Sequence, residues 1–247
     1  MLLILSCKQK ISIAVTTATI ACAGRSVLAQ DKTTFSPRQG LTLGLEYSNT
    51  SSHILLGSSF DRRILGVNGA ASRRLIHSSV VDWNYEVFIS PIKFIQEPVV
   101  DRVTLSDGSS PAGQAPASFS GPIQRKCVSG VVQGVGYVST QQCGMRWTYI
   151  GSVSPLGQRV NFRPRKQLQP LIAGNAGVLL ASRNIPSVNA ARLNFVFEFG
   201  VGVEYFLQPM QAVTLDYRIQ HISNGYRASE NPGIDNQVVR LSYTFGR

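Results

Sequence analysis

Residues 192–205 read RLNFVFEFGVGVEY. Leu193, Phe195, Phe197, Phe199, Val201 and Val203 occupy every second position, and Asn194, Glu198, Gly200, Gly202 and Glu204 fall on the other row. A period of two belongs to a β-strand whose successive side chains point to opposite faces. One face of this strand is built of large hydrophobes and the other of acids and glycines. The same rhythm recurs along the chain. GLTLGLEYS sets Leu41, Leu43, Leu45 and Tyr47 against Thr42, Gly44, Glu46 and Ser48. VDWNYEVFI sets Val81, Trp83, Tyr85, Val87 and Ile89 against Asp82, Asn84 and Glu86. MRWTYIGSV sets Met145, Trp147, Tyr149 and Val153 against Arg146, Thr148 and Ser152. VTLDYRIQH puts Asp216 and Arg218 on its polar face, and VVRLSYTF sets Val239, Leu241, Tyr243 and Phe245 against Arg240, Ser242 and Thr244. Two less regular strands lie within SSFDRRILGVNGAASRRLI and LQPLIAGNAGVLLAS. The total is about eight, with no repeat of fixed period.

Alternation also fits a soluble sandwich or a lipocalin-like carrier, so the composition of the two faces has to decide. The polar face carries both signs of charge: Glu46, Asp82, Glu86, Arg146, Glu198, Glu204, Asp216, Arg218 and Arg240. A soluble barrel turns such a face to water, whereas a membrane barrel turns it inward and pairs the charges. The apolar rows are uniformly large, with Trp, Tyr and Phe near strand ends as interfacial girdles require. The last strand ends in alternating hydrophobics with Tyr243 and Phe245. The expected fold is therefore all-β, an eight-stranded antiparallel outer-membrane β-barrel. A barrel of that size has its lumen filled by side chains and satisfies every backbone group in lipid.

The N-terminus reads as an address. Lys8 and Lys10 precede ISIAVTTATIACAG, and Val27-Leu28-Ala29-Gln30 has the form of a cleavage site. A secretory signal peptide over residues 1–29 and a barrel domain over 30–247 are expected. Beyond it no apolar run is long enough for a membrane helix. Cys7 and Cys22 leave with the signal, and Cys127 and Cys143 remain. An isolated pair in an exported chain points to a disulfide, worth on the order of 3 kcal/mol for a loop of about fifteen residues. No metal site is expected, since His53 and His77 lie far off in sequence. The net charge of +11 is scattered. Arg62-Arg63, Arg73-Arg74 and Arg163/Arg165/Lys166 have the chemistry to touch phosphates, but such groups are more often solvated loop charges, and no nucleic-acid partner is expected. SDGSSPAGQAPASFSGPIQRKCVSG belongs to a long surface loop over about residues 95–144.

The reactive residues lie near the C-terminus. His221 and Ser223 continue the apolar row Val213, Leu215, Tyr217, Ile219, and the loop NGYRASENPGID follows them. By the parity of the meander that loop lies on the outer side, which puts both at the extracellular rim. A serine becomes a nucleophile when a base takes its proton, and a third group must orient the base. The Asn-Gly turn would swing Ser223 toward the imidazole. Asp235 and Glu230 are the candidate acids; Asp235 is preferred because it shares the outer-face parity of Val239 and Leu241. The Asn224 side chain and the Gly225 N–H are candidate oxyanion donors. As bare spacing, His-x-Ser on a strand is far more often structural.

HISNGYRASENPGID resembles the signature of the lipid A 3-O-deacylases, the PagL-type acyloxyacyl hydrolases. The matching residues are His221, Ser223 and Asn224, followed after a polar loop by Asn231, Gly233 and Asp235. QPLIAGNAGVLL and FVFEFGVGVEY resemble the family's two preceding strands, so the likeness covers about residues 165–247. It implies an eight-stranded outer-membrane barrel that hydrolyses the ester-linked 3-hydroxyacyl chain at position 3 of lipid A. Ser223 would be the nucleophile, His221 the base and Asp235 the orienting acid, where some members carry Glu. The implied partner is lipopolysaccharide in the outer membrane, with no cofactor or metal, and Arg227 and basic loop residues would meet lipid A phosphates. The competing class is a non-catalytic small outer-membrane barrel, structural or adhesive.

Overall fold

The computed structural model describes residues 34–50, 62–106, 115–117, 130–134 and 137–247. The expected signal peptide, residues 1–29, and Cys127 lie outside the described residues; Cys143 lies within them. The strands in chain order are β1 (Gln39–Thr50), β2 (Arg62–His77), β3 (Val81–Ser106), β4 (Ala115–Ala117), β5 (Gly130–Gly134), β6 (Tyr137–Phe162), β7 (Leu168–Ile185), β8 (Ala191–Gln208), β9 (Gln211–Ser223) and β10 (Ile234–Gly246). All ladders are antiparallel. β1 pairs with both β2 and β10, and β3 pairs with both β2 and β6, so β1, β2, β3, β6, β7, β8, β9 and β10 form a closed ring. The fold is the eight-stranded barrel expected from the alternation. Among the described residues no helix is long and apolar enough to cross a membrane.

The wall is inverted with respect to a soluble protein. Leu43 is 60% exposed and Phe197 48%, while Glu46 and Glu198 are 1% exposed and Arg240 2%. Inside, charge is paired across strands. Glu46 accepts from Lys93 Nζ at 2.7 Å and from Arg240 Nη2 at 3.0 Å, and the same Nη2 reaches Glu198 Oε2 at 3.0 Å. Arg240 also lies 4.4 Å from the centre of the Phe88 ring. Arg159 joins Glu86 to Glu204, with its Nη1 at 2.9 Å from Glu204 Oε1. Arg218 holds Asp216 at 2.8 Å. The glycines of β8 are explained by these neighbours. A Cβ on Gly200 would stand 2.1 Å from Tyr217 O, and one on Gly202 would stand 2.6 Å from Asp216 Cβ. A gap of about 10 Å³ lined by Asn68, Glu86, Arg159, Asp216, Arg218 and Arg240 marks how fully the polar layer is packed.

The interior is not polar throughout. Ile64, Ile95, Ile150, Leu179, Ile185, Val196, Ile222 and Ile234 form a buried apolar cluster at the end where β9 meets its loop. The alternation gave no hint of it, because these hydrophobes are interspersed with polar residues on the inner rows. β3 and β6 also depart from expectation. The loop expected over about residues 95–144 begins later and ends earlier, since β3 runs through Ser106 and β6 starts at Tyr137, paired as far as Ser106↔Val138. The β-branched run around Val99, Val100 and Val103 favours pairing. Pro91 and Pro155 sit where the register shifts, and their carbonyls accept from Tyr149 Oη and Tyr85 Oη; Pro98 pairs in register with Met145.

The connections 78–80, 163–167 and 209–210 lie at one end of the barrel, and 186–190 and 224–233 lie at the other, with the strand ends Thr50, Arg62, Ser106 and Tyr137. Outer-membrane barrels keep their short turns toward the periplasm, which assigns the first end to that side. Two substitutions test the inverted wall. Arg240→Met leaves Glu46 and Glu198 short of a partner and should lower unfolding stability by about 3–5 kcal/mol. Leu43→Arg on the outer face should lower it by about 2–4 kcal/mol. Both are read as shifts of the denaturant midpoint in lipid vesicles.

Candidate active site

β9 ends at Ser223 because the chain turns at once. Gly225 and Tyr226 have φ of +61° and +60°, and Arg227 N donates to Asn224 O at 3.3 Å. Two consecutive positive φ values are the mark of a type I′ turn, which Asn-Gly supports and which tyrosine adopts at a steric cost. Tyr226 stands out in solvent. Gly225 is required twice over, since a Cβ there would also meet Phe195 Cε2 at 2.9 Å.

β10 returns beside β9 with Asp235 opposite His221 and Ile234 opposite Ile222. Ile222 and Ile234 belong to the apolar cluster inside the barrel, so His221, Ser223 and Asp235 have outer-face parity. His221 Nδ1 lies 2.6 Å from Asp235 Oδ1. Asp235 is fully buried and the imidazole about one-fifth exposed. A carboxylate held on Nδ1 leaves Nε2 as the ring's working nitrogen and fixes its tautomer. Ser223 is half-buried, two residues along the same face, and its Oγ has no hydrogen-bond partner among the described residues. Ser223 and His221 sit opposite Phe195 and Phe197 of β8, two rings about half exposed on the outer wall.

Glu230 is placed elsewhere. Its carboxylate accepts from Ser187 Oγ at 2.5 Å and from Asn189 Nδ2 at 3.0 Å, and Ser229 Oγ donates to Asn189 O at 3.1 Å. These bonds tie the β9–β10 loop to the β7–β8 connection. Asn224 is buried and is spent on the same loop. Its Nδ2 donates to Glu230 O at 2.6 Å, its Oδ1 accepts from Arg227 N at 3.2 Å, and its main-chain N–H donates to Asn231 Oδ1 at 2.9 Å. The Asn224 side chain is thus bonded into the loop, whereas the Gly225 N–H has no hydrogen bond among the described residues. Arg227 is exposed.

Sequence reasoning missed Phe195 and Phe197 as neighbours of the pair, because register between β8 and β9 cannot be read from alternation. It also missed a second histidine–carboxylate pair. His77 contacts Asp82 at the opposite end of the barrel, with Arg74 Nη1 at 3.9 Å from the same carboxylate. There the adjacent hydroxyl is occupied, since Ser78 Oγ donates to Val81 O at 3.0 Å. Among the described residues no group of three or more His, Cys, Asp or Glu could hold a metal ion.

The sequence model of the lipid A 3-O-deacylase (PagL) family matches residues 132–244, a stretch that includes His221, Ser223 and Asp235. The match spans just under half of the chain. The barrel is also similar in fold to solved structures. These include the outer membrane enzyme PagL, at 12% identity over 84% of this chain and 99% of that one, TM-score 0.43. Neisserial surface protein A shares 9% identity over 85% of this chain and 97% of that one, TM-score 0.42. The Yersinia pestis outer membrane protein Ail shares 13% over 85% and 100%, TM-score 0.34. No curated protein matches the sequence.

In the β9–β10 loop, Asn231→Ala removes the acceptor that holds the Asn224 N–H, and a buried donor left unpaired costs about 1–3 kcal/mol. Amide exchange of residues 224–233 should accelerate while the barrel strands stay protected. Unchanged exchange would show that Asn231 does not hold the turn.

Proposed function

We propose that this protein is an outer-membrane serine esterase that hydrolyses the 3-O-linked 3-hydroxyacyl chain of lipid A. The observation that carries the reading is the His221–Asp235 contact on the outer face at the loop end, with Ser223 two residues along the same face of β9. The family match over the same residues supports the substrate class.

The scissile ester of a lipopolysaccharide lies in the outer leaflet, alongside the barrel wall. A group that attacks it from the protein has to face lipid, close to the headgroups. Ser223 Oγ attacks the ester carbon while His221 Nε2 takes its proton, and Asp235 stabilises the imidazolium. The oxyanion receives the Gly225 N–H. Collapse breaks the bond to the glucosamine oxygen, which leaves with the proton from Nε2, and the acyl group stays on Ser223. A water deprotonated by His221 then releases the 3-hydroxy fatty acid and restores the serine. A Ser223–His221 hydrogen bond has to form as substrate is engaged, as in other hydrolases whose apo geometry is loose. Phe195 and Phe197 flank the seat of the departing chain, and Arg227 meets a lipid A phosphate.

Lipopolysaccharide incubated with the purified protein should release 3-hydroxy fatty acid, detected by mass spectrometry. Ser223→Ala and His221→Asn should each reduce release by roughly three to four orders of magnitude, and Asp235→Asn by a comparable factor, with the barrel still folded. Release that continues unchanged in the first two variants would end the proposal. Export by a signal peptide over residues 1–29 and a Cys127–Cys143 disulfide belong to the same reading. The intact mass of protein recovered from outer membranes should lack 29 residues and fall two hydrogens below the reduced value; a full-length or fully reduced mass would contradict them.

A further inference from the structure

The cations that the sequence scatters are gathered by the topology. Arg38, Arg73, Arg163, Arg165, Lys166 and Arg247 all fall at the short-turn end of the barrel, in or next to the connections there. The nearest acidic side chains, Asp82 and Glu204, are buried and already engaged with His77 and Arg159. That end therefore presents a cluster of positive side chains at one rim of a lipid-facing wall.

Directly beside part of this rim, the wall has a trough. Its cavity is about 530 Å³ and is lined by Leu41, Ala71 and Phe245, with Gln39, Arg73 and Arg247 at its mouth. The volume falls within the roughly 300–1,000 Å³ of small-molecule sites. Register explains its shape. Ala71, Leu41 and Phe245 form one cross-strand row over β2, β1 and β10. The next row toward the rim is Arg73, Gln39 and Arg247; Gln39 pairs with Arg73, and Gln39 N donates to Arg247 O at 3.0 Å. The trough exists because β2 carries Gly69 and Ala71 where its neighbours carry Leu43, Leu41 and Ile89. Arg73 and Arg247 stand two strands apart, about 10 Å in the hydrogen-bonding direction, so two long side chains can converge on one phosphate between them. The Arg247 main-chain oxygen is already bonded by Arg38 N and Gln39 N, and the Arg247 guanidinium is 3.5 Å from Gln39 Oε1.

An apolar trough that opens to acyl chains and ends in two guanidinium groups at headgroup depth has the polarity of one ligand class. We propose that it seats an anionic glycerophospholipid of the periplasmic leaflet, one acyl chain over Ala71 and the phosphate on Arg73 and Arg247. Charge selects the occupant. A zwitterionic lipid offers the same chain but carries a cation beside its phosphate, and lipopolysaccharide lies in the leaflet at the far end of the wall. The site is separate from His221 and Ser223, which lie at the loop end.

Native mass spectrometry of the full-length barrel, released from detergent with equimolar phosphatidylglycerol and phosphatidylcholine, tests this. The wild-type protein should retain one phosphatidylglycerol in preference to phosphatidylcholine. Arg73→Gln combined with Arg247→Gln should weaken that retention about tenfold or more and level the two lipids. Ala71→Trp should displace the chain with both arginines in place, and Ala71→Leu serves if the larger ring hinders folding, which heat-dependent gel mobility reports. Equal retention of the two lipids by the wild type would overturn the proposal. So would a phosphatidylglycerol preference that survives both the arginine and the Ala71 substitutions.

Discussion

A closed sheet in lipid can carry charge only on the inside, and only if that charge is neutralised there. The Glu46–Lys93–Arg240–Glu198 network meets this demand at the centre of the lumen. Arg159 meets it between Glu86 and Glu204. Burying isolated ions costs several kcal/mol each, so these groups have to be matched in number and position. The match dictates much of the sequence. It places Gly200 and Gly202 where Arg218 and Asp216 press against β8, and it spreads acids and bases over the inner rows of the wall, from Glu46 on β1 to Arg240 on β10.

The same constraint decides where chemistry can occur on the outer wall. Mid-wall positions are given to Leu, Val and Phe, and polar side chains appear on that face only near its two rims. At the loop rim stand His221, Ser223 and Asp235, with the carboxylate buried against the imidazole. At the other rim stand the arginines around the trough. An apolar layer, not the ion network, lies beneath the first of these. Ile222 and Ile234 anchor β9 and β10 behind the His–Asp pair, so the site is fixed by packing on one side and by the hydrogen-bonded Asn224–Asn231 loop on the other.

The fold was legible because alternation is a strong signal when both rows are extreme. Large hydrophobes opposite charged residues of both signs leave the inverted barrel as the economical arrangement. The β2 and β7 strands were harder to read because their glycines and alanines weaken the contrast. The full length of β3 and β6, through Ser106 and from Tyr137, is hidden by the low-complexity sequence between them. The pairing of His221 with Asp235 was also legible, since parity put both on one face and the intervening loop set the return. What lay hidden were facts of register and packing. Glu230 as a strap to Ser187 and Asn189, Phe195 and Phe197 beside the pair, and the inner isoleucine layer depend on which residues of different strands meet, and one sequence does not encode that in its period.

The most direct test of the account is to map covalent labelling by a serine-directed sulfonyl fluoride on the barrel in lipopolysaccharide-containing bilayers. The account predicts a single adduct on Ser223 that forms with loss of ester hydrolysis and fails to form in the His221→Asn variant. Full inhibition with Ser223 unmodified, or an adduct that forms equally well without the imidazole, would contradict it.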